Sequence, residues 1–283
     1  MPRAHHVALG VTFTLMTVGT AAQMPGLADL LARVGERVDD YYGRARSIIC
    51  TEKVTVQAIR GDMTPEGFAR ILEYELRVEW QPSAYGVQEA TAVRQLRRIN
   101  GRTARPDAEP QCLDPPSISP EPLAFLMPGR RDDYLFSLRG MGRDRNRPAL
   151  LLDYRSRTED RPEVTWTDEC ARVSLPGWTK GQVWVDPATY EVLRIDEGLT
   201  KSFDYKVPYE RVRLGMGEYW VLERLDSSVR YRPVVFHDPD ETVLLPESID
   251  SLVVFRGPGV TGHRTTQTFS DYRRFITGTR IVK

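Results

Sequence analysis

The apolar residues of this chain change their spacing once, close to residue 45. Before that point they recur at helical intervals, which predicts one amphipathic helix over Leu27–Tyr42. Its apolar face comprises Leu27, Leu30, Leu31, Val34, Val38, Tyr41 and Tyr42. Beyond the helix the spacing falls to two, which is typical of strands with one buried face. The first such alternation consists of Cys50, Val54, Val56 and Ala58.

The second alternation is the clearest strand in the sequence. Its apolar positions are Leu72, Tyr74, Leu76, Val78 and Trp80, and its charged positions are Glu73, Glu75, Arg77 and Glu79. A strand with one apolar and one charged face covers a core on one side and meets water on the other. The segment Gly61–Gly67 is a suitable turn, so we expect the first two strands to pair antiparallel.

A further hairpin is predicted over Gly181–Asp196. Asp186 and Pro187 open its turn, because Asp bonds its own backbone and Pro presets φ. The alternation predicts that Val183 and Val185 share a face with Leu193 and Ile195, with Trp184 and Val192 on the other face. Both faces carry apolar groups, so we expect the hairpin to belong to a sheet that covers another part of the protein.

The rest of the chain is predicted to form further strands. They are expected at Val87–Ile99, which ends at an Asn100-Gly101 turn, Tyr134–Leu138 and Ala149–Tyr154 across a turn at Gly140–Arg147, Val164–Trp166, Ser202–Tyr209, Tyr219–Leu225, Ser228–Phe236, Leu252–Phe255 and Thr265–Phe269. Strands and helices do not alternate, and no constant repeat is present, which disfavours parallel α/β folds, propellers and solenoids. The predicted fold class is mainly β: one curved antiparallel sheet, a half-barrel, wrapped around an N-terminal amphipathic helix.

The first 22 residues are typical of a secretory signal peptide. Arg3 precedes an apolar run, Val7–Val18, and small residues follow at Thr20-Ala21-Ala22. A buried N-terminal helix is the alternative. We expect residues 1–22 to be a signal peptide and 23–283 a single β domain in an exported, periplasmic or secreted protein, although the length alone also allows two small domains. Arg102–Pro122 holds six prolines and is expected to be either an ordered lid or a mobile surface loop, its composition favouring the loop.

Three cysteines in an exported chain raise the question of a disulfide. Cys112 and Cys170 lie in polar, loop-like sequence, and we expect a bridge between them. In the chain-entropy model, a loop of that size contributes on the order of 4 kcal/mol. Cys50 begins an apolar alternation and is expected to be a buried thiol outside that bridge.

Residues that could carry chemistry are few. His237 lies in a polar turn without the spacing of a calcium loop or a zinc helix, and His263 follows a glycine-rich turn that lacks the strand, helix and Lys of a phosphate loop. The sequence contains no G-x-S-x-G, and Asp132-Asp133 would point to opposite faces of a strand. With 39 basic and 39 acidic residues, the chain shows no electrostatic pattern for nucleic acid. We therefore expect no catalytic residue, no metal and no cofactor.

The order of signal peptide, helix and long antiparallel meander resembles the LolA/LolB-like lipoprotein-carrier fold. The hairpin G-x-V-W-V-D-P-x-T…V-L-R-I resembles that of outer-membrane lipoprotein-sorting proteins, and the ending from Leu244-Leu245-Pro246 to Phe275 is similar to that of uncharacterised exported relatives. The resemblance implies an open half-barrel that holds acyl chains between sheet and helices. Two departures stand out, Tyr190 where the hairpin usually has Gly, and the proline-rich insert.

The function expected on these grounds is a non-enzymatic periplasmic carrier of a lipid or lipoprotein acyl chain, with no transmembrane segment in the mature chain and no nucleic-acid partner. The cavity wall is predicted to consist of Leu72, Tyr74, Leu76, Val78, Trp80 and Trp184. Ordinary core packing also explains these residues. The alternative function is an envelope protein-interaction or sensor module on the same fold, and a hydrolase comes third.

Overall fold

A computed structural model describes residues 24–45, 48–82, 88–105, 123–166, 171–215, 217–237, 240–258 and 262–274, with backbone alone at 78–82 and 88–92. The helices are α1 (Leu27–Arg44), a 3₁₀ turn (Leu123–Leu126), α2 (Pro128–Arg131) and α3 (Tyr209–Val212). The strands are β1 (Ile48–Ile59), β2 (Arg70–Pro82), β3 (Gln88–Ile99), β4 (Arg102–Thr103), β5 (Tyr134–Asp144), β6 (Arg147–Ser156), β7 (Glu163–Trp166), β8 (Ala171–Ser174), β9 (Thr179–Val185), β10 (Val192–Leu199), β11 (Phe203–Lys206), β12 (Tyr219–His237), β13 (Asp240–Arg256) and β14 (Gly262–Arg274).

One large antiparallel sheet contains most of the described strands. Its order is β4, β3, β2, β1, β14, β13, β12, β10, β9, β6, β5, with β11 beside β12, and the hairpin β7–β8 is separate. The first and last strands of this order do not pair, so the sheet is not closed into a barrel. The predicted fold class, a curved antiparallel sheet with one N-terminal helix, is confirmed.

Helix α1 covers one face of this sheet, which we call the helix side. Its buried residues recur at helical spacing, and they pack against the 3₁₀ turn and against alternate residues of the central strands. The packed sheet residues include Leu152, Val183, Ile195 and Val229. The helix predicted at Leu27–Tyr42 is therefore confirmed, and it ends two residues later at Arg44.

Two predicted boundaries are wrong because the strands continue past them. Gly140, with φ +120°, lies at a register shift within β5, and the turn falls at Arg145 instead of over Gly140–Arg147. Tyr219–His237 is one 19-residue strand, with shifts at Leu222/Arg224 and Arg230/Tyr231. A pattern of period two loses its phase at the bulge in β5. In β12 the predicted break falls at Asp226 and Ser227, two polar residues that pair regularly with β13.

A bulge also corrects the predicted faces of the β9–β10 hairpin. Val192 pairs with Val185 and is buried, whereas Arg194 pairs with Trp184, because Leu193 is the extra residue between them. Val192 therefore lies on the helix side and Trp184 on the opposite side, contrary to the expectation that they share a face. The turn itself is confirmed, since the Asp186 carboxylate accepts hydrogen bonds from the backbone N–H groups of Ala188 and Thr189.

Several predictions concern residues outside those that the structure describes. These are the signal peptide at 1–22, the Cys112–Cys170 disulfide, and the proline-rich segment from 106 to 122. The first two residues of that predicted loop, Arg102 and Thr103, form β4 after the Asn100-Gly101 turn. Cys50 is a buried thiol, as expected.

Candidate functional site

The helix side of the sheet is filled with side chains. Leu30, Val34, Leu152 and Val183 are completely buried there, with a relative exposure of 0%. A cavity of only about 20 Å³ remains between α1, the 3₁₀ turn and the β9–β10 hairpin. The resemblance implies a space for an acyl chain between sheet and helix. In this part of the structure, packed side chains occupy that space.

The predicted cavity wall is divided between two places. Leu76 belongs to the main core beneath α1, whereas Leu72 and Tyr74 form a second buried cluster with neighbours on β1 and β3. Val78 and Trp80 continue β2, and their side chains lie outside the described atoms. Trp184 is six strands further along the sheet order and points to the side opposite α1. The structure brings Leu72 and Tyr74 together, places Leu76 in the main core and leaves Trp184 apart from all three.

Trp184 instead borders a groove of about 960 Å³ on that opposite side. The groove crosses the sheet from β5 to β14, and most of the surface that it exposes is apolar. Strand alternation places its side chains in three neighbouring rows that run across the strands. The groove is lined by Leu135, Phe136, Ser137, Arg139, Asp153, Tyr154, Arg155, Lys180, Gly181, Gln182, Trp184, Asp196, Glu197, Gly198, Asp226, Ser227, Ser228, Asp250, Ser251, Leu252 and Arg264.

The middle row is polar on every strand, and we call it the polar row. Its successive cross-strand partners are Ser137, Asp153, Gln182, Asp196, Ser228, Asp250 and Thr266. Adjacent members bond to one another: Gln182 Nε2 donates to Asp153 at 2.5 Å, Ser228 Oγ to Asp196 at 2.7 Å, and Thr266 Oγ1 to Asp250 at 2.9 Å. The row is therefore a hydrogen-bonded floor whose carboxylates already have donors.

A charge network holds Trp184 at one side of this floor. The Arg194 guanidinium lies 4.4 Å from the centre of the Trp184 ring, and its Nε donates to Asp196 at 2.7 Å. Arg230, the cross-strand partner of Arg194, donates to Asp144 at 2.7 Å. These contacts fix the indole while leaving it partly exposed to the groove.

On the other side of the floor, the row contains Leu135, Arg155, Lys180, Gly198, Asp226, Leu252 and Arg264. The three cationic side chains of this row are exposed. Their aliphatic stems and the two leucines give an apolar border with positive tips, and the carboxylate of Asp226, the acidic member of the row, accepts a hydrogen bond from Arg224 at 2.8 Å.

Beneath the groove, on the helix side of the same strands, the hydroxyl of Tyr154 donates to Glu197 at 3.0 Å. Burial raises the pKa of Glu197, and this hydrogen bond opposes the shift. Burial also raises the pKa of Tyr154, and the negative charge of Glu197 adds to it. Gly181 lies between them, and a Cβ there would lie 2.0 Å from the Asp196 carbonyl oxygen and 2.8 Å from the Tyr154 ring. The missing side chain lets the pair meet across β9.

The groove residues other than Trp184 were not predicted from the sequence. Most of them are polar or charged residues that alternate with buried residues along a strand, and strand faces exposed to solvent show the same pattern. Only the register of seven strands shows that these positions form one surface. Trp184 is the exception, because a large aromatic residue on the polar face of a hairpin stands out.

Groups that could do other chemistry are sparse in the described residues. No cluster of three His, Cys, Asp or Glu side chains among them could hold a metal ion. His237 is exposed beside Asp240, and His263 is largely buried between strands. None of the described helices is long and apolar enough to span a membrane.

Three solved structures align along most of this chain. A LolA superfamily protein from Nitrosomonas europaea is 12% identical, with 89% of this chain and 96% of that one covered and a TM-score of 0.39. A putative outer-membrane lipoprotein-sorting protein domain from Vibrio parahaemolyticus is 13% identical, with 88% and 94% covered and a TM-score of 0.43. A DUF1329 family protein from Desulfovibrio piger is 10% identical, with 89% and 92% covered and a TM-score of 0.45.

No protein-family model and no curated protein matches the chain. Two of the three aligned structures, a LolA superfamily protein and a lipoprotein-sorting protein domain, belong to the group that the sequence resembles. At these identities and TM-scores, the likeness concerns the fold alone and identifies no ligand, residue role or partner.

Proposed function

We propose that this protein is a non-enzymatic binding or carrier protein for an amphiphilic lipid, whose acyl chain lies in the groove beside Trp184. The observation that carries the proposal is the groove itself, about 960 Å³ of mainly apolar exposed surface above a hydrogen-bonded floor. Ligand sites of this size are typically apolar with a few placed polar groups. Each buried CH₂ contributes roughly 0.8 kcal/mol, so a long chain is held without any covalent step.

A brominated fatty acid tests this proposal directly, because bromine quenches tryptophan fluorescence at short range. We expect 9,10-dibromostearate to quench the wild-type protein, and Trp184→Phe to lose the quenched part while calorimetric titration still shows binding. Trp178→Phe is the matched control, since Trp178 is buried and outside the groove. Absence of binding, or quenching that survives in Trp184→Phe, would contradict the proposal. Lipid extraction and mass spectrometry of the purified protein then identify the natural ligand.

The proposal includes export, with residues 1–22 as the signal peptide and the periplasm as the site of action. Amino-terminal sequencing of the protein from fractionated cells tests this. A mature chain that begins near Gln23 in the periplasmic fraction is the expected result. An uncleaved chain in the cytoplasm would contradict it.

A second candidate function is the recognition of an envelope protein. Strand β5 ends the described sheet order and exposes Met141, which is 55% accessible. An end strand can take up an extended segment of a partner by strand addition. A pull-down with lipid-free protein that recovers one partner with the wild type and loses it with Met141→Lys would favour this function. Equal recovery with both would count against it.

A further inference from the structure

Two cationic side chains lie directly opposite each other at one end of the groove. Arg155 on β6 and Lys180 on β9 are cross-strand partners, and both line the groove. Side chains so paired have Cβ atoms about 5 Å apart, and like charges at that position destabilise a sheet. The isolated fold therefore gains nothing from having these two charges side by side.

The surroundings of this pair do not neutralise it. The next cross-strand neighbours are Leu135, beside Arg155, and Gly198, which has no side chain, beside Lys180. Within the described part of the chain, neither cation forms an ion pair with a carboxylate. The pKa of Glu159 is lowered mainly by its hydrogen bond from Lys201, which lies 2.7 Å away, and the charge of Arg155 is the smallest of the causes.

The nearest carboxylate along β6, that of Asp153, is also engaged. It accepts a hydrogen bond from Gln182 and lies 3.3 Å from Arg139. The carboxylate of Asp226, which lies beyond Gly198 in the same row, accepts a hydrogen bond from Arg224 at 2.8 Å. Arg155 and Lys180 thus line the groove without a carboxylate partner among the described residues.

We propose that Arg155 and Lys180 bind the anionic head group, a phosphate or a carboxylate, of the amphiphile that occupies the groove. This inference rests on the proposed function and adds the class of its ligand. A guanidinium fork and an ammonium together match the oxygens of either acid. Lys180 and Trp184 are four residues apart on β9, roughly 13 Å along the strand. The head group at the cations therefore leaves the first part of the acyl chain beside the indole.

Calorimetric titration of the mature protein with lysophosphatidic acid and with monoacylglycerol of the same acyl chain tests the head-group site. The two probes differ in the phosphate alone. We expect roughly tenfold tighter binding of the anionic lipid, reduced by added salt. The double variant Arg155→Gln/Lys180→Gln should remove that preference and leave monoacylglycerol binding unchanged. Lys206→Gln is the control, because Lys206 is an exposed cation on β11 that does not line the groove.

Each outcome decides a separate point. Equal binding of both lipids, or an equal loss of the preference in Lys206→Gln, overturns the head-group site but leaves the proposed function standing. Binding of neither lipid refutes the proposed function, and the head-group site falls with it. Inorganic phosphate is the third probe: if it binds as tightly as lysophosphatidic acid and the double variant abolishes this, the cations serve a soluble anion and the lipid assignment is overturned.

Discussion

Arg33 of helix α1 lies over Tyr190 in the turn of the β9–β10 hairpin. The guanidinium carbon is 4.9 Å from the ring centre, and Nη1 donates to the tyrosine hydroxyl at 2.9 Å. Arg37, one turn later, donates from Nε to the carbonyl of Thr189 at 2.9 Å. Tyr190 has φ 61°, a left-handed conformation that favours glycine, so the contact with α1 accompanies a strained backbone. The helix is thereby fastened to the turn that leads into the groove strands.

Substitutions at Tyr190 should separate the ring contact from the backbone strain. Tyr190→Ala and Tyr190→Gly both remove the ring, but only glycine relieves the left-handed strain, so we expect Gly to be more stable than Ala by about 1 kcal/mol. Urea denaturation followed by circular dichroism measures the difference. At Ala188, whose φ is not positive, Ala188→Gly should lower stability instead. Should Tyr190→Ala prove the more stable of the two, the left-handed backbone would be excluded.

A buried ion pair joins β1 to β3 across β2. Arg94 Nε donates to Glu52 Oε2 at 2.6 Å and Nη2 to Oε1 at 3.1 Å, with side-chain exposures of 5% and 0%. We expect Glu52→Leu to lower the free energy of unfolding by about 3–5 kcal/mol, because it removes the carboxylate that accepts two hydrogen bonds from a buried guanidinium. Chemical denaturation at two protein concentrations gives the value and excludes aggregation.

The matched variant for this pair replaces both charges. Glu52→Leu/Arg94→Met should recover most of the lost stability, since similar apolar volume removes the desolvation cost of both ions. A double variant less stable than Glu52→Leu alone would show that Arg94 has a separate structural role.

The predicted disulfide is tested by counting thiols. Export to an oxidising compartment should leave Cys112 and Cys170 bridged, so denatured, non-reduced protein should show one reactive thiol, that of Cys50. Reduction should raise the number to three. Three thiols before reduction would refute the bridge.

The sequence predicts the elements of this fold better than it predicts the surface that they make together. The helix and β2 are recoverable because Leu30, Val34 and Leu72 belong to runs whose buried residues recur at a constant period. Glu52 breaks such a period, and only the structure shows that Arg94, on another strand, is its partner. The groove depends in the same way on register: bulges within β5, β10 and β12 decide which residues share its face. Local sequence carries little information on such shifts.

His263 makes stability depend on pH. Burial lowers its pKa below the ordinary value, and Nδ1 has no hydrogen-bond partner within the described residues. The unfolded chain therefore binds a proton at His263 more readily than the folded one. Above about pH 6.5 this residue does not reduce the free energy of unfolding, and as the pH decreases through and below that value it lowers that free energy. Unfolding free energies measured from pH 5 to 8 should show this slope. His263→Gln should flatten it, while His237→Gln, at an exposed position, should not. An unchanged slope in His263→Gln would assign the pH dependence to other groups.

Two glycine-to-alanine substitutions should have opposite effects. At Gly181 a Cβ would lie 2.0 Å from the Asp196 carbonyl oxygen, which is backbone of the neighbouring strand and cannot swing away. We expect Gly181→Ala to cost about 2–4 kcal/mol, because β9 and β10 must separate beneath the groove and the Tyr154–Glu197 hydrogen bond must lengthen. Gly43 lies within α1, and a Cβ added there would have no atom within 4 Å, so Gly43→Ala should add up to about 1 kcal/mol of helix propensity. Thermal and urea unfolding of both variants gives the two signs. If Gly181→Ala were neutral, the close approach of β9 and β10 at the groove would be wrong, and with it the position of Lys180 one residue away.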